Sequence, residues 1–192
     1  MKKVDRSEVL SLGAYEEIRP HFRARMIEVK QRRRLSVGGH MSIVFENHDT
    51  MLLQVQEMLR TERITDEVAI AHELETYNEL VPAAGNLSAT LFIEYDDSAK
   101  RPQMLAKFAT LRTAIRLVIG EQHYPAQFAT HHGEEMDRLP AVNYLKFEVG
   151  SAAIAPLKDA AVPARLEVSH PDYAVNADLP RELRVELARD LE

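Results

Sequence analysis

The hydrophobic periodicity of the chain changes near Gly85, and this change constrains the fold more than any other feature. Before Gly85, apolar residues recur every three or four positions, as on one face of a helix. After it, they alternate with polar residues, as in strands with one solvated face. This order predicts an α+β protein, with a helix-rich N-terminal half packed on a mostly antiparallel sheet from the C-terminal half. We expect one globular domain over residues 1–192, helical over about 1–85 and strand-rich over about 86–192, because no linker or repeat interrupts it.

Capping residues and helix breakers divide the helical part. Asp5 and Glu8 have capping-box spacing, and Gly13 is expected to weaken or end that first helix. Pro20 is expected to begin a second helix, because proline favours the first helical position. Asp66 is expected to cap another helix, with Ile70, Leu74, Tyr77 and Val81 on one face and Pro82 at its end. Further helices are predicted over 51–63, 102–111, 151–160 and 180–190.

Strands are predicted from β-branched, aromatic and alternating segments. They cover residues 41–46, 89–95, 115–119, 126–130, 142–149 and 164–169. A turn at residues 47–50 follows the first strand, and Asp49 or Thr50 is expected to cap the helix beyond it. The Asp49 carboxylate is suited to this role because it can accept N–H bonds from the first helical turn and oppose the helix dipole.

Positive charge is concentrated at the start of the chain. Residues 1–40 hold ten basic and five acidic side chains, although the whole chain has a net charge of −6. Lys30, Arg32, Arg33 and Arg34 form a basic cluster, with Arg23 upstream. Forked guanidinium donors suit carboxylates and phosphates, so these residues predict an anion- or partner-binding site. The alternative is a cationic helix C-terminus that the helix dipole favours. We expect no nucleic-acid binding, because the cluster lacks interleaved aromatic residues and the chain is acidic overall.

A second polar group surrounds the predicted turn and the helix that follows it. It contains Asn47, His48, Asp49, Glu57, Arg60, Glu62 and Arg63. One interpretation is a charge network on the exposed face of one helix. The other is an enzyme with an unrecognised polar site. A cleft that holds His48, Asp49, Glu57 and Arg32 within hydrogen-bond reach would favour the enzyme.

The sequence lacks the residues or motifs that several kinds of chemistry require. The chain has no cysteine, which excludes disulfides, cysteine-ligated metals and a cysteine nucleophile. The sequence His131-His132-Gly133-Glu134-Glu135 contains metal-capable side chains, but adjacent histidines usually diverge, so we expect no metal and no cofactor. No nucleophile-elbow or phosphate-loop motif occurs. We also expect no membrane span and no signal peptide, hence a cytoplasmic location, because no apolar run is long enough.

Six short segments resemble a known family in order along nearly the whole chain. They are Glu17-Ile18-Arg19-Pro20-x-Phe22-Arg23, Lys30-x-Arg32-Arg33-Arg34, Phe45-Glu46-Asn47-x-Asp49-Thr50, Gln54-x-Gln56-Glu57-Met58-Leu59-Arg60-x-Glu62-Arg63-Ile64, Ala89-Thr90-Leu91-x-Ile93-Glu94-Tyr95 and His170-Pro171-x-Tyr173. The chain resembles the uncharacterised bacterial family catalogued as domain of unknown function 3501. The resemblance implies no assigned activity or catalytic residue. It implies an accessory role in peroxide or redox metabolism, because genes of this family often lie beside rubrerythrin-like and iron–sulfur oxidoreductase genes.

The leading hypothesis is therefore a cytoplasmic, non-enzymatic accessory or binding protein. Its ligand is expected to be a protein partner, which includes a second copy in a homodimer, or a small anion. The alternative hypothesis is the enzyme with its site around residues 47–49 and 57–63.

Overall fold

The computed structural model describes residues 1–97, 99–129 and 139–192. These residues form six α-helices and two antiparallel sheets, with helices in the N-terminal part and strands mostly in the C-terminal part. The α+β prediction is confirmed. No helix in this described part combines the length and the hydropathy needed to cross a membrane.

The helices and strands follow each other along the chain as follows. The helices are α1 (Leu12–Arg32), α2 (His48–Glu62), α3 (Glu67–Asn78), α4 (Arg101–Lys107), α5 (Ile154–Lys158) and α6 (Arg181–Asp190). The strands are β1 (Arg34–Val37), β2 (Met41–Phe45), β3 (Asn86–Ile93), β4 (Ile115–Ile119), β5 (Gln122–Pro125), β6 (Gln127–Phe128), β7 (Val142–Glu148), β8 (Ala164–His170) and β9 (Tyr173–Asp178). Short 3-10 turns cover Arg6–Glu8, Phe108–Thr113 and Ser151–Ala153.

The two sheets enclose one apolar core. Their strand orders are β1-β2-β3-β7-β6 and β5-β4-β8-β9. Alternate residues of the strands point into this core, for example Ile43, Leu91 and Leu145 of the first sheet and Leu117 and Leu166 of the second. Side chains of α5 and α6 complete it. The sheets also meet at β1 and β9, where the Tyr173 hydroxyl donates a 2.5 Å hydrogen bond to the Val37 carbonyl.

Helices α2 and α3 share a second apolar cluster. Their buried residues recur at helical spacing: Met51, Val55 and Leu59 on α2, and Ile70, Leu74 and Tyr77 on α3. Val81 is buried in the same cluster, as predicted, but α3 ends at Asn78, so Val81 lies beyond the helix and Pro82 does not end it. The N-terminal segment packs here through Val4 and Val9. Tyr144 of β7 contacts this cluster from the first sheet, which places the helical layer on the outer face of that sheet.

The capping box of Asp5 and Glu8 is present, but the helix boundaries predicted at Gly13 and Pro20 are wrong. Gly13 and Pro20 both lie inside α1, whose N-cap is Ser11. A proline inside a helix removes one backbone hydrogen bond, but α1 is tied to α2 on both sides of Pro20, through Tyr15 and Arg23, and this tertiary pairing offsets the loss. Gly13 sits in the first turn, where an added Cβ would meet nothing within 4 Å.

Three strands were not predicted, and a fourth is shorter than predicted. β1 begins at Arg34, the last residue of the basic run that indicated a helix end. β5 is short and largely polar, and β9 follows directly after His170, Pro171 and Asp172. In the predicted strand 126–130, β6 covers Gln127–Phe128, and residue 130 lies outside the described residues. These short strands are specified by pairing with their neighbours more than by their own composition.

Candidate functional site

The Glu57 carboxylate is the centre of a polar cluster between α1 and α2. The Tyr15 hydroxyl donates to its Oε1 at 2.6 Å. Arg19 donates to both oxygens, at 2.7 and 2.9 Å, and Arg23 donates to Oε2 at 2.8 Å. Tyr15, Arg19 and Arg23 recur at every fourth position of α1 and therefore share one helix face. The cluster joins the two helices through one carboxylate.

This cluster holds Glu57 in its ionised form. The hydrogen bond from Arg19 is the largest cause that lowers the pKa of Glu57, to about 2, against an opposing effect of burial. Burial, and then the neighbouring Glu57, raise the pKa of Tyr15. A carboxylate with two arginines and a hydroxyl on it has little proton affinity near neutral pH. Glu57 is therefore poorly suited to act as a general acid or base.

The other predicted polar residues of α2 do not converge on Glu57. Arg60 donates to Glu16 of α1 at 2.5 Å. The His48 ring lies between two carboxylates, Glu8 and Asp49, each 3.2 Å away. His48 and Glu57 are nine positions apart, about 13 Å along a helix, so they share no hydrogen-bonded cleft. Glu62 and Arg63 are exposed at the end of α2.

The cap of α2 is Asn47, which corrects the prediction for Asp49. The Asn47 side chain accepts the Thr50 N–H at 2.9 Å, and the Thr50 hydroxyl accepts the Asn47 N–H at 2.9 Å. Asp49 is the second helical residue and pairs with Arg25 of α1 at 3.1 Å. Asparagine, at the position where the backbone is still extended, can reach the free N–H groups of the first turn.

Arg33 lies inside the protein and not on the basic surface. Its guanidinium donates to the Phe45 carbonyl at 2.8 Å and the Glu46 carbonyl at 3.1 Å. It also pairs with Asp190 and Glu186 of α6. These partners satisfy a cation that is 0% exposed. Arg33 thus joins the end of α1 to the C-terminal helix and has no donor face open to a ligand.

The remaining residues of the basic cluster differ in whether their charge has a partner within the protein. Arg23 is committed to Glu57. Arg34 donates to the Ser42 hydroxyl at 2.6 Å and its guanidinium stacks over the Phe92 ring, 5.3 Å from the centroid. Lys30 is partly exposed and Arg32 exposed. Within residues 1–97, 99–129 and 139–192, neither of the last two forms an ion pair.

A buried polar pair lies on the outer face of the first sheet. Glu46 accepts a 2.5 Å hydrogen bond from the Thr90 hydroxyl through Oε1. Glu46 Oε2 and the Ser88 hydroxyl are buried without a hydrogen-bond partner in the described part of the chain. Burial raises the pKa of the nearby Tyr144, and Tyr77 and Glu46 raise it further. An unpaired buried polar group costs about 1–3 kcal/mol, so packing alone does not explain these two residues.

Metal-ligating side chains do not converge among the residues that the structure describes. No group of three or more His, Asp or Glu side chains there could hold a metal ion. His131, His132, Glu134 and Glu135 lie outside the described residues.

Sequence reasoning missed most partners of the predicted residues. Tyr15 and Arg19 could have been found from their spacing with Arg23 on one helix, which indicates a shared face. Asp190 gave no such signal, because it is 157 residues from Arg33 along the chain. In the structure, Arg23 pairs with Glu57, whereas Lys30 and Arg32 contact neither of these two residues.

Two comparisons with known proteins match nearly the whole chain or all of it. A family model described as "Protein of unknown function (DUF3501)" matches residues 3–191. The crystal structure of a novel protein of unknown function from Burkholderia pseudomallei is similar, with 34% sequence identity, a TM-score of 0.90 and coverage of 100% of each chain. A comparison with curated proteins finds no match.

Proposed function

Since the chain belongs to the family of proteins of unknown function DUF3501, we propose a function from its geometry: a binding or accessory protein that engages an acidic protein partner through α1. The single observation that carries this proposal is the contrast between paired and unpaired charges. Glu57 and Arg33 are committed to buried or half-buried ion pairs and Asp49 to an exposed one, whereas Lys30 and Arg32 form no ion pair within the described residues.

The shape of the basic surface favours a protein partner over a small anion. Small anions are held by donors that converge in a concave site. Lys30 and Arg32 instead stand two positions apart on an exposed helix, and residues two apart on a helix point in different directions. A protein partner can place separate acidic groups on the two side chains, and such charge complementarity guides association between proteins.

The polar residues predicted for the alternative enzyme do not come together in one cluster. Glu57 already accepts four hydrogen bonds, and its pKa of about 2 keeps it ionised. His48 and Asp49 lie at the other end of α2 and contact Glu8 and Arg25. These pairings support a structural role for the polar residues of α2.

Location and pathway are proposed from the sequence and the family resemblance. We propose a cytoplasmic location, which fits the accessory role that the family resemblance implies. The resemblance supports a partner in rubrerythrin-type peroxide or redox metabolism. Since the chain has no cysteine, its contribution would be to bind such a partner and not to carry a cysteine-ligated cluster.

Binding to a defined acidic probe tests the proposal. We expect poly-L-glutamate to bind the protein at low salt and to bind the variant Lys30→Glu/Arg32→Glu at least about tenfold more weakly, since each reversed charge replaces attraction with repulsion. Fluorescence anisotropy of labelled poly-L-glutamate measures both affinities.

A matched control reverses two exposed cations elsewhere. The variant Lys107→Glu/Arg181→Glu carries the same charge change on α4 and α6 and should bind the probe like the wild type. Equal loss in both variants would show a response to net charge alone and contradict the proposal. Salt-sensitive binding to duplex DNA that depends on Lys30 and Arg32 would also contradict it, as would tight binding of inorganic phosphate.

A further inference from the structure

The exposed faces of α1 and α3 carry opposite charges, and each presents an unusually exposed apolar side chain. We propose that a second copy of this chain supplies the acidic partner, with α1 of each copy docked on α3 of the other. This inference rests on the proposed function and names the partner. It yields a two-fold homodimer in which the same contact occurs twice.

The acceptor face belongs to α3. Val68 is 79% exposed, the highest value among the large apolar side chains of the described residues. Residues three, four and seven positions further on share its side of the helix, and these are Ala71, His72 and Glu75. Glu67 is paired with Arg6 at 2.7 Å, whereas Glu73 and Glu75 form no ion pair within the described residues, and α3 has no lysine or arginine. The face is therefore a small apolar surface within a negative field.

The donor face belongs to α1. Ile27 is 55% exposed. Ala24 lies three positions before it, and Lys30 lies three positions after it. Arg19, Arg23 and Arg25 of α1 are committed to carboxylates of α2, so the positive charge of this face comes from Lys30, which forms no ion pair within the described residues. The donor face thus has the same pattern as the acceptor face, a β-branched side chain beside an alanine and a charge, with the opposite sign.

The position of the two helices allows both contacts at once. Helices α1 and α3 each pack on α2, so they flank it within one layer. A two-fold axis near α2 would set α1 of one copy against α3 of its partner, and the reverse contact follows by symmetry. Reciprocal contacts double the buried area, and specific interfaces bury about 1,600 Å² in total. The charges on the two faces attract in this arrangement and repel in α1-on-α1 or α3-on-α3 pairing.

Charge-swap variants test the interface. Sedimentation velocity between about 1 and 300 µM should show the wild type shifting from monomer to dimer, with weaker association at high salt. Lys30→Glu and Glu75→Lys should each weaken the dimer at least about tenfold, since each places like charges together at both contacts. An equimolar mixture of the two variants should recover the dimer, because each α1–α3 contact then joins opposite charges. The double variant should recover it for the same reason.

The controls and the outcomes separate the two proposals. The control is an equimolar mixture of the variants Lys107→Glu and Glu182→Lys, which reverse exposed charges on α4 and α6. Each control variant and their mixture should dimerise with the same affinity as the wild type. A wild type that stays monomeric throughout, or a mixture no heavier than its components, would overturn the homodimer. In that case, retained binding of poly-L-glutamate through Lys30 and Arg32 would leave the proposed function standing. Loss of both self-association and probe binding would overturn both.

Discussion

At the scale of single residues, Glu57 stabilises the contact between α1 and α2, and its removal should show this directly. We predict that Glu57→Gln lowers the free energy of unfolding by about 2 kcal/mol, because Arg19 and Arg23 lose the charge that compensates them and the hydrogen bonds to a charged acceptor become neutral ones. Urea denaturation at neutral pH measures the change.

The pH dependence of this effect has a definite sign. The pKa of Glu57 is lowered in the folded protein, so its stabilisation is fully present above its ordinary pKa of 4.5 and is lost as the pH falls toward about 2. Glu62→Gln is the matched control, because Glu62 is an exposed glutamate on the same helix. It should change stability by less than about 0.5 kcal/mol. Equal effects of the two variants would remove the structural role assigned to Glu57.

Residue 47 provides a second prediction at this scale. Asn47→Ala should cost about 1 kcal/mol of stability, because the side chain that accepts the Thr50 N–H is lost from the cap of α2. Asp49→Ala should cost no more than about 0.5 kcal/mol, because it breaks a largely exposed pair with Arg25. Thermal melts of both variants show which substitution causes the larger loss of stability. A larger loss of stability for Asp49→Ala than for Asn47→Ala would show that the Asp49 carboxylate is the cap of α2.

At the scale of elements, the turn between β1 and β2 is fixed by its contact with β9. Gly38 has φ of +72°, and an added Cβ would overlap the Tyr173 hydroxyl. That hydroxyl bonds to both the Val37 carbonyl and the His40 N–H, so it has little freedom to move. We predict that Gly38→Ala costs about 2 kcal/mol, measured by chemical denaturation.

Two further variants separate the causes of this loss. Gly39→Ala is the matched control, since an added Cβ there meets nothing within 4 Å, and it should be nearly neutral. In a Tyr173→Phe background, Gly38→Ala should cost less than in the wild type, because the overlap with the hydroxyl is gone. An equal cost in both backgrounds would assign the loss to backbone conformation alone.

The same elements show how far sequence reasoning reaches. α2, α3 and β7 were predicted because their own apolar periodicity specifies them. α1 was divided at Pro20, because its continuity is supported by contacts with the distant α2. β9 was missed although its residues alternate in burial and it pairs with β8 directly before it. The cap of α2 was placed two residues late, since asparagine, aspartate and threonine all suit that position. For the candidate site, the residue types alone identified the polar residues. They did not predict the ion pairs that occupy Glu57 and Arg33 and leave them no free group for a ligand.

At the scale of the whole molecule, one buried cation joins the two ends of the chain. Arg33 follows α1, contacts the end of β2 through the Phe45 carbonyl, and pairs with Asp190 near the C-terminus. Breaking a buried ion pair by removing one partner is strongly destabilising, by about 3–5 kcal/mol, because the other charge stays buried. Arg33 therefore ties α6 to the end of α1 and to the first sheet.

Asp190 gives this contact a pH dependence opposite to that of Glu57. Burial raises the pKa of Asp190 from 3.8 to about 6, and Glu186 adds to the rise, whereas Arg33 and the N-terminal amine oppose it. A carboxyl with a raised pKa binds its proton more tightly in the folded state, so its contribution to stability is present at low pH and lost as the pH rises through about 6. The loss between pH 4.5 and 7.5 is about 2 kcal/mol.

Asp190→Asn isolates this titration, because asparagine keeps the shape and an oxygen acceptor for Arg33 but cannot ionise. We predict that the free energy of unfolding of the wild type, relative to that of Asp190→Asn, falls as the pH is raised from 4.5 to 7.5. Urea denaturation of both proteins at several pH values gives this difference, and all groups that titrate alike in the two proteins cancel. Asp178→Asn, a change at an exposed aspartate of β9, serves as the control and should show a flat difference. A wild type that gains stability relative to Asp190→Asn over this range would mean that the charge of Arg33 outweighs the cost of burial, and that the buried pair is ionised throughout.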